Sequence, residues 1–110
     1  MIKQETEIMR KIMVECSDIA ILWRANVGKF YTADCRLVNS GLPKGFSDLF
    51  GFRIKDCKIV FIEVKTPTGK PSAEQIQFLK TMQKYGCIAG IARNTTDARN
   101  IIEEKRTENR

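Results

Sequence analysis

The stretch VFIEVKTP, residues 60–67, decides how this chain folds. It begins as a strand bound for a protein core, because β-branched and aromatic side chains are enriched in strands. Side chains alternate along a strand, so Phe61, Glu63 and Lys65 share one face and the apolar residues between them take the other. Two charges on one face of a core strand therefore need an explanation.

A second strand-like run, residues 47–54, precedes the run 57–65, and only residues 55–56 separate the two. This pattern predicts an antiparallel hairpin. If the paired positions sum to 111 around the turn, Asp48 lies directly opposite Glu63 on the same face. Such partners have Cβ atoms roughly 4.5 to 5.5 Å apart, close enough for both carboxylates to bind one cation.

Two like charges opposed on a sheet are destabilising unless something neutralises them, and a divalent metal ion does so. Mg²⁺ prefers carboxylate and water oxygens and often touches a substrate phosphate, which suits a two-carboxylate site on a basic protein. Lys65 beside it can orient or deprotonate a water molecule. On spacing alone, however, an exposed charge pattern in which Glu63 pairs with Lys65 is favoured over a metal site.

The composition points to one small domain without a membrane span. The 110 residues are 43% hydrophobic and 29% charged, and no apolar run is long enough to cross a bilayer. We expect a single domain over residues 1–104 with a charged tail over 105–110. The first residues do not resemble a signal peptide, so a cytoplasmic location is expected. The four cysteines form no CxxC pair, which predicts reduced and mostly buried thiols.

The chain has no histidine, and this count removes many classes of enzyme. Ser-His-Asp and Cys-His hydrolases, HExxH proteases, histidine-ligated zinc sites and nucleases with a histidine base are all excluded. Chemistry here must use carboxylates and lysine, and a hard cation is compatible with them. The net charge of +6 favours a polyanionic partner, although a merely soluble basic surface explains the charge equally well.

Hydrophobic periodicity predicts helices on both sides of a small sheet. The fold class is α/β of the mixed α+β kind, in the order α-β-β-β-α-β-α. Residues 30–45 are left unassigned. The predicted elements are a helix over 4–18, a strand over 20–23, the hairpin, a helix from the N-cap Ser72 to residue 84 or 85 with a stop at Gly86, a strand over 87–92, and a helix to residue 102 capped by Thr95 or Thr96.

Two further groups of residues are assigned by their surroundings. We expect the aromatic residues to be core rather than platforms for stacked bases; they are Trp23, Phe46, Phe50 and Phe52. Polar residues in loops near the predicted site can contact phosphates, although each of them taken singly is by default a solvated side chain. They are Arg24, Asn26, Lys29, Lys44 and Lys70.

Three motifs together resemble one nuclease family. The sequence GFSD at residues 45–48 is followed fifteen residues later by Glu63, Val64 and Lys65, and then by GKPSAEQ at 69–75 ahead of a helix. This pattern is similar to the VRR-NUC family of the PD-(D/E)XK nuclease superfamily, and the likeness extends from residue 5 to about residue 102. Ser47 stands where the superfamily motif has its proline, and the resemblance tolerates this change.

The resemblance implies a restriction-endonuclease-like core and a role for each matching position. Asp48 and Glu63 are expected to bind Mg²⁺ or Mn²⁺, with the carbonyl of Val64 as a further ligand. Lys65 is expected to serve the attacking water. Gln75 matches a helix glutamine of the family that is expected to contact the site or the scissile strand; completing a capping box with the serine before the helix is an equally good explanation, and the two roles do not exclude each other.

The family also has an acidic residue on its first helix. Glu5 fits the family spacing better than Glu7. For either glutamate, a favourable charge in the first turn of a helix is an almost equally good explanation.

The resemblance implies a metal-dependent DNA endonuclease with no organic cofactor. Short stand-alone members look like phage or bacterial products and resemble homodimeric enzymes that resolve four-way junctions. A dimer suits that task, because cutting two strands of a symmetric junction requires two sites related by a two-fold axis.

Two other classes of function stay open at this stage. A non-catalytic nucleic-acid-binding module would explain the charge and the fold, but not the combination of Asp48, Glu63 and Lys65. A structural or protein-interaction domain would have these three as surface charges, and would show no salt-dependent affinity for DNA.

Overall fold

The structure is a computed structural model that describes residues 2–26, 29–39 and 41–105. Charged-tail residues 106–110 lie outside that part of the chain. The described elements are α1 (Ile2–Glu15), β1 (Ala20–Arg24), β2 (Lys29–Tyr31), β3 (Leu37–Asn39), β4 (Leu49–Arg53), β5 (Ile59–Val64), α2 (Ala73–Lys84), β6 (Ile88–Ala92) and α3 (Thr95–Ile102).

Four strands form one mixed sheet in the order β1-β4-β5-β6. β1, β4 and β5 run antiparallel, and β5 pairs in parallel with β6 across the α2 crossover. Helices α1 and α3 pack on one face of this sheet, where Ile12, Leu49, Ile62 and Ile102 are fully buried. Helix α2 lies on the other face, where Phe78 packs edge-to-face on Phe61 at 5.2 Å between ring centroids. The predicted mixed sheet flanked by helices is confirmed.

The predicted register of the central hairpin is also confirmed. Leu49 pairs with Ile62 and Phe52 with Ile59, so the paired positions sum to 111. The turn is longer than predicted, because residues 54–57 form a four-residue loop in place of a two-residue turn. Both loops have the same centre, so the longer one leaves the register unchanged.

A buried arginine explains the longer turn. Arg53 donates from Nε and Nη2 to Asp56 at 3.0 and 2.7 Å, and from Nη1 to the carbonyl oxygen of Ile102 at 2.8 Å. Its charge lowers the pKa of Asp56 to about 2. Cys57 closes the loop in the left-handed region, with φ of 60°. The loop is therefore built to satisfy a cation at the end of the sheet.

Several boundaries differ from the predictions. Helix α1 begins and ends two to three residues earlier than predicted, and the N-cap of α3 is Asn94, whose side chain accepts from the N–H of Asp97. Neither predicted threonine caps that helix, because Asn is the stronger cap and stands one position earlier. The unassigned segment contributes a separate two-stranded hairpin, β2 with β3.

The expected burial of some side chains is wrong. Trp23 is 49% exposed, and Phe46, Phe50 and Phe52 are half-buried instead of forming core. The reason is that α2 covers only the part of this sheet face that β5 and β6 form, so the side chains on β1 and β4 stay partly accessible. The four cysteines are free, as predicted, but Cys35 and Cys57 are exposed.

Among the helices that the structure describes, none is both long and apolar enough to cross a bilayer.

Candidate active site

Asp48 and Glu63 meet at one end of the central hairpin. The ladder places Leu49 opposite Ile62, so Asp48 lies opposite Glu63 one position further along. The Oδ2 atom of Asp48 accepts a hydrogen bond from the backbone N–H of Val64 at 2.9 Å. This bond ties the residue before β4 to the end of β5. The two carboxyl groups therefore share one small region of the sheet.

Glu63 is a carboxyl group in an unfavourable place. Its side chain is only 2% exposed, and its Oε1 atom is buried without a hydrogen-bond partner. Burial raises the pKa of Glu63 to about 8, and the negative charge of Asp48 and a hydrogen bond with it act in the same direction. At neutral pH and without a counter-charge, Glu63 therefore holds a proton.

Lys65 partly opposes these effects. Its Nζ lies 3.5 Å from Oε2 of Glu63, and only 14% of its side chain is exposed. This contact is more than a surface charge pattern, because both groups have lost most of their water, and it becomes an ion pair when Glu63 loses its proton. The structure therefore brings Asp48, Glu63 and Lys65 together.

The turn after β5 lies beside Lys65. A Cβ at Gly69 would come within 3.7 Å of Cδ of Lys65, so the turn runs next to the lysine stem. Nη1 of Arg93 donates to the carbonyl oxygens of Thr66 and Gly69, each at 2.6 Å. Arg93 directly follows β6, and the N–H of Lys65 donates to the carbonyl of Ala92 at 3.1 Å. Arg93, directly after β6, thus holds the turn beside Lys65 through two hydrogen bonds.

The approach to Asp48 depends on a glycine and a serine. Gly45 has φ of +91°, and a Cβ there would lie 2.6 Å from the carbonyl oxygen of Glu74 in the first turn of α2. Only glycine fits both conditions. Ser47 is fully buried, and its hydroxyl donates to the carbonyl of Leu49 at 2.8 Å. A buried hydroxyl with a local partner thus occupies the position where the superfamily has proline.

Gln75 has a structural partner at the start of α2. Its Oε1 accepts from the N–H of Ser72 at 2.8 Å, and its own N–H donates to Oγ of Ser72 at 3.1 Å. Both halves of the capping box are present, as predicted. Across residues 2–26, 29–39 and 41–105, no hydrogen bond or ion pair joins Gln75 to the two carboxylates or to Lys65.

The first-helix acids form no direct bond with this group among the described residues. Glu5 is half-buried in the first turn of α1 and Glu7 is exposed. In the described part of the chain, neither glutamate forms an ion pair or hydrogen bond with Asp48, Glu63 or Lys65. Placing Glu5 at the site therefore stays a prediction.

The basic residues have mixed positions. Arg24 ends β1 opposite Leu49 and is exposed, as is Asn26 two positions later; the N–H of Ala25 between them donates to the carbonyl oxygen of Asp48 at 2.9 Å. Lys70 is exposed in the turn after Lys65. Lys44 is exposed, and its Nζ lies 3.7 Å from Oε2 of Glu74, which partly compensates its charge. The side chain of Lys29 lies outside the described residues.

The site is suited to a cation that uses few protein ligands. Nowhere in the described residues do three or more His, Cys, Asp and Glu side chains gather to hold a metal ion. The two carboxylates of Asp48 and Glu63 are nevertheless close together, and one carboxylate oxygen has no protein partner. Mg²⁺ and Mn²⁺ fit such a pair, since Mg²⁺ typically binds one or two carboxylates and keeps several waters.

Sequence patterns did not reveal two contacts of this site. One is the packing of Gly45 against α2, and the other is the pair of hydrogen bonds from Arg93 to the turn beside Lys65. The positive φ of Gly45 is consistent with its glycine-containing loop, but its contact with α2 is long-range. Arg93 becomes visible only once β6 is placed in parallel beside β5, with Val64 opposite Ala92. If this register were known from the sequence, it would place Arg93, the residue after Ala92, beside Lys65, the residue after Val64.

Comparisons with known proteins agree with this geometry. The family model of the VRR-NUC domain matches residues 24–95, which includes Asp48, Glu63, Lys65 and Arg93. A solved structure described as a VRR-NUC domain superposes with a TM-score of 0.65 over 94% of this chain and 98% of that chain, at 17% sequence identity. At this identity the superposition shows a shared fold. No curated protein matches the chain. Because the matched residues span more than half of its length, this chain belongs to the VRR-NUC domain family, which implies a nuclease-type function.

Proposed function

We propose that the chain is an endonuclease that hydrolyses phosphodiester bonds of DNA with Mg²⁺ or Mn²⁺ bound between Asp48 and Glu63. One observation carries this proposal. In the pair formed by half-buried Asp48 and buried Glu63, the Oε1 atom of Glu63 has no hydrogen-bond partner among the residues that the structure describes. A native fold retains such a destabilising feature where a ligand relieves it.

The pair supports cation binding through charge and geometry. Deprotonation of Glu63 would leave two negative charges side by side in a poorly hydrated place. A divalent cation would neutralise them and supply Lewis acidity to the phosphodiester group. The carbonyl of Val64 would be a further ligand. The N–H of the same residue already holds Asp48 in place at 2.9 Å.

Lys65 would act on the water that attacks phosphorus. Its Nζ lies 3.5 Å from Glu63 and only 14% of its side chain is exposed, so the ammonium group has few alternative positions. A confined cation can orient a water molecule, accept its proton after losing its own, and offset charge that develops on the phosphate. Pre-positioning of this kind removes part of the entropic barrier.

The charge of the chain supports DNA as substrate. A net charge of +6 attracts a polyanion, and Arg24, Asn26 and Lys70 are exposed, the first two on either side of Ala25, which bonds to the backbone of Asp48, and the third in the turn after Lys65. Gln75 and Glu5 are proposed to contact the scissile strand or the site once DNA is bound. Lys44 and Lys29 would contact phosphates further along the DNA.

Four-way junctions are the substrate that we propose, cut by a homodimer. A symmetric junction has two strands to cut, and a two-fold dimer presents two equivalent sites. A monomer with a single pair of carboxylates would cut one strand in each encounter.

Cleavage of labelled DNA tests this function. Four-way junction, flap and linear duplex DNA are incubated with Mg²⁺, Mn²⁺ or EDTA and with wild type or Lys65→Ala. The matched control is Lys11→Ala, which removes an exposed lysine from α1, on the far side of the sheet. Metal-dependent cutting that is lost in Lys65→Ala and kept in Lys11→Ala supports the proposal.

Two other outcomes would overturn it. Salt-dependent binding without cutting on every substrate would identify a non-catalytic binding module. Absence of salt-dependent DNA binding would point to a protein-interaction domain. Cutting of flap or duplex DNA in preference to the junction would keep the endonuclease and remove the junction-resolving role.

A further inference from the structure

The connection between β1 and β4 leaves and re-enters the sheet beside the carboxylate pair. Arg24 at the end of β1 pairs with Leu49 at the start of β4, so both ends of this connection lie at the same end of the sheet. The N–H of Ala25 donates to the carbonyl oxygen of Asp48 at 2.9 Å and closes the connection there. The β2–β3 hairpin lies within this connection and is therefore attached to the end of the sheet that carries Asp48 and Glu63.

Hydrogen bonds hold the turn at the tip of this hairpin. The N–H of Thr32 donates to the carbonyl oxygen of Arg36 at 2.8 Å, and the N–H of Cys35 donates to the carbonyl oxygen of Thr32 at 2.9 Å. The hydroxyl of Thr32 donates to Asp34 and accepts from the N–H of Arg36 at 3.1 Å. The two strands are thus held in a fixed pairing on either side of the turn.

Two exposed side chains with large apolar surfaces form the last strand pair before this turn. Tyr31 pairs with Leu37, so both point to the same face of the hairpin. Tyr31 is 73% exposed and Leu37 is 57% exposed, whereas Val38 on the opposite face is half-buried. We refer to Tyr31 and Leu37 as the tip pair. Their apolar surface remains in water in the described part of the chain, and it is available to a partner.

The bases of DNA are the partner that suits this surface. The tip pair carries no charge, but an aromatic ring stacks on the face of any base, and leucine is among the side chains that insert between base steps. The hairpin also carries two cations, Lys29 and Arg36, against one anion, Asp34. Asp34 lies 3.7 Å from Arg36 and compensates part of its charge, so a small positive excess remains to attract a polyanion.

The place where such a pair can enter DNA is a branch point. Insertion into a continuous duplex costs a few kcal/mol for each base step that is unstacked. Base pairs at a branch end their helices and have fewer stacked neighbours, so less stacking is lost there. We propose that the tip pair inserts at the branch point of the DNA substrate and stacks on the bases that it separates. This inference rests on the proposed function, because it assigns to the hairpin beside the site the recognition of branched DNA.

Binding to DNA in EDTA tests the insertion separately from cleavage. Tyr31→Thr removes the ring and keeps a residue that favours strands, so the hairpin is retained. We expect its affinity for a four-way junction to fall about tenfold, with little change for a linear duplex of the same sequence. Leu37→Thr should act in the same direction. Tyr31→Phe should bind like wild type, because stacking does not need the hydroxyl group.

Tyr85→Thr is the matched control for the loss of a tyrosine ring. Tyr85 is 74% exposed at the C-cap of α2. It comes three positions before Ile88, which pairs with Val60 near the end of β5 that is farther from Glu63. This variant should bind both DNA molecules like wild type.

The dependence of binding on salt separates stacking from contacts to phosphate. The slope of log affinity against log salt concentration reports how many phosphates are neutralised. Tyr31→Thr should weaken junction binding without changing this slope. Permanganate oxidises thymines that are unstacked, so wild type should raise the reactivity of thymines at the branch of the bound junction, and Tyr31→Thr should not.

Four results would overturn the inference. They are unchanged junction affinity in Tyr31→Thr, which would leave the tip pair to another kind of partner, an equal loss on junction and duplex, an equal loss in Tyr85→Thr, and a lower salt slope. Wild type that binds and unstacks the junction without ever cutting it would keep this inference and remove the proposed nuclease. Metal-dependent cutting with junction affinity unchanged in Tyr31→Thr would keep the nuclease and remove this inference.

Discussion

Asp48 accepts a hydrogen bond from the N–H of Val64, 2.9 Å away and sixteen positions later in the chain. The bond joins the carboxylate on one strand to the backbone that directly follows the carboxylate on the other. Asp48 is thus both a structural tie and a charge beside Glu63. Substitutions can separate the two roles.

Asp48→Asn should keep the fold and lose cleavage. The amide oxygen can still accept from Val64, while the negative charge that helps to raise the pKa of Glu63 disappears. We expect the free energy of unfolding in EDTA to be unchanged or higher. Asp48→Ala leaves the N–H of Val64 without this acceptor and should lower it by roughly 1–2 kcal/mol. Urea denaturation measures the free energy of unfolding of both variants. A greater loss of stability in Asp48→Asn than in Asp48→Ala would contradict the account.

Stability without metal should depend on pH through Glu63. Folding raises the pKa of this group from the ordinary 4.5 to about 8, so its contribution to stability is fully present below about pH 4.5 and is lost as the pH rises through 8. Between these values the free energy of unfolding should fall by up to about 1.4 kcal/mol per pH unit.

Glu63→Gln is the control for this titration. It preserves shape and cannot ionise, so its unfolding in EDTA should vary less with pH, and near pH 8 it should be more stable than wild type. The variant should also be inactive. Identical pH slopes for the two proteins, measured by urea denaturation, would show that Glu63 titrates normally.

Arg93 should affect cleavage without affecting DNA affinity. Arg93→Ala removes the donor that bonds to the carbonyls of Thr66 and Gly69. The turn beside Lys65 is then no longer held in place. A catalytic group displaced by about 1 Å costs on the order of 100-fold in rate. We expect a fall in kcat of this order, partial recovery in Arg93→Lys, and an unchanged Kd for DNA in EDTA.

Arg99→Ala is the matched arginine control. Arg99 bridges α3 to Asp18 and to the carbonyl of Glu15, on the side of the sheet away from the site. It should lower thermal stability while leaving kcat of the folded protein near wild type. If both arginine variants lose activity only in proportion to unfolding, Arg93 has no positioning role.

Gly45→Ala should be far more damaging than Gly41→Ala. Both glycines have positive φ, at +91° and +86°, so each substitution introduces a similar strain of roughly 1–2 kcal/mol. Only at Gly45 would the new Cβ also meet the backbone of Glu74, at 2.6 Å, and displace the segment that carries Asp48. Thermal unfolding and cleavage assays compare the two, and equal effects would show that the contact with α2 is unimportant.

Local patterns in the sequence were sufficient for the hairpin register and the capping box. The capping box joins Ser72 and Gln75, three positions apart, and the register follows from two adjacent strands around one short loop. The register was predicted correctly with the wrong turn because loops of two and four residues around the same centre pair the same strand positions. Composition and motif spacing likewise indicated the carboxylate pair.

Long-range contacts could not be predicted in this way. Arg93 reaches the site through the parallel pairing of β6, and the exposure of Trp23 depends on how much of the sheet α2 covers. Hydrophobicity alone assigned Trp23 to the core, because an aromatic residue on a strand has the same local signature on an open face. The β2–β3 hairpin was missed since its strands are only three residues each.

Binding of Mn²⁺ to the protein tests most directly that Asp48 and Glu63 form a cation site. Isothermal titration is carried out above pH 8, where Glu63 is ionised, with wild type, Glu63→Gln and Lys65→Ala. The account predicts that wild type and Lys65→Ala bind Mn²⁺, and that Glu63→Gln binds at least about tenfold more weakly because a charged ligand is lost. Equal affinity of wild type and Glu63→Gln, or no binding by wild type, would contradict it.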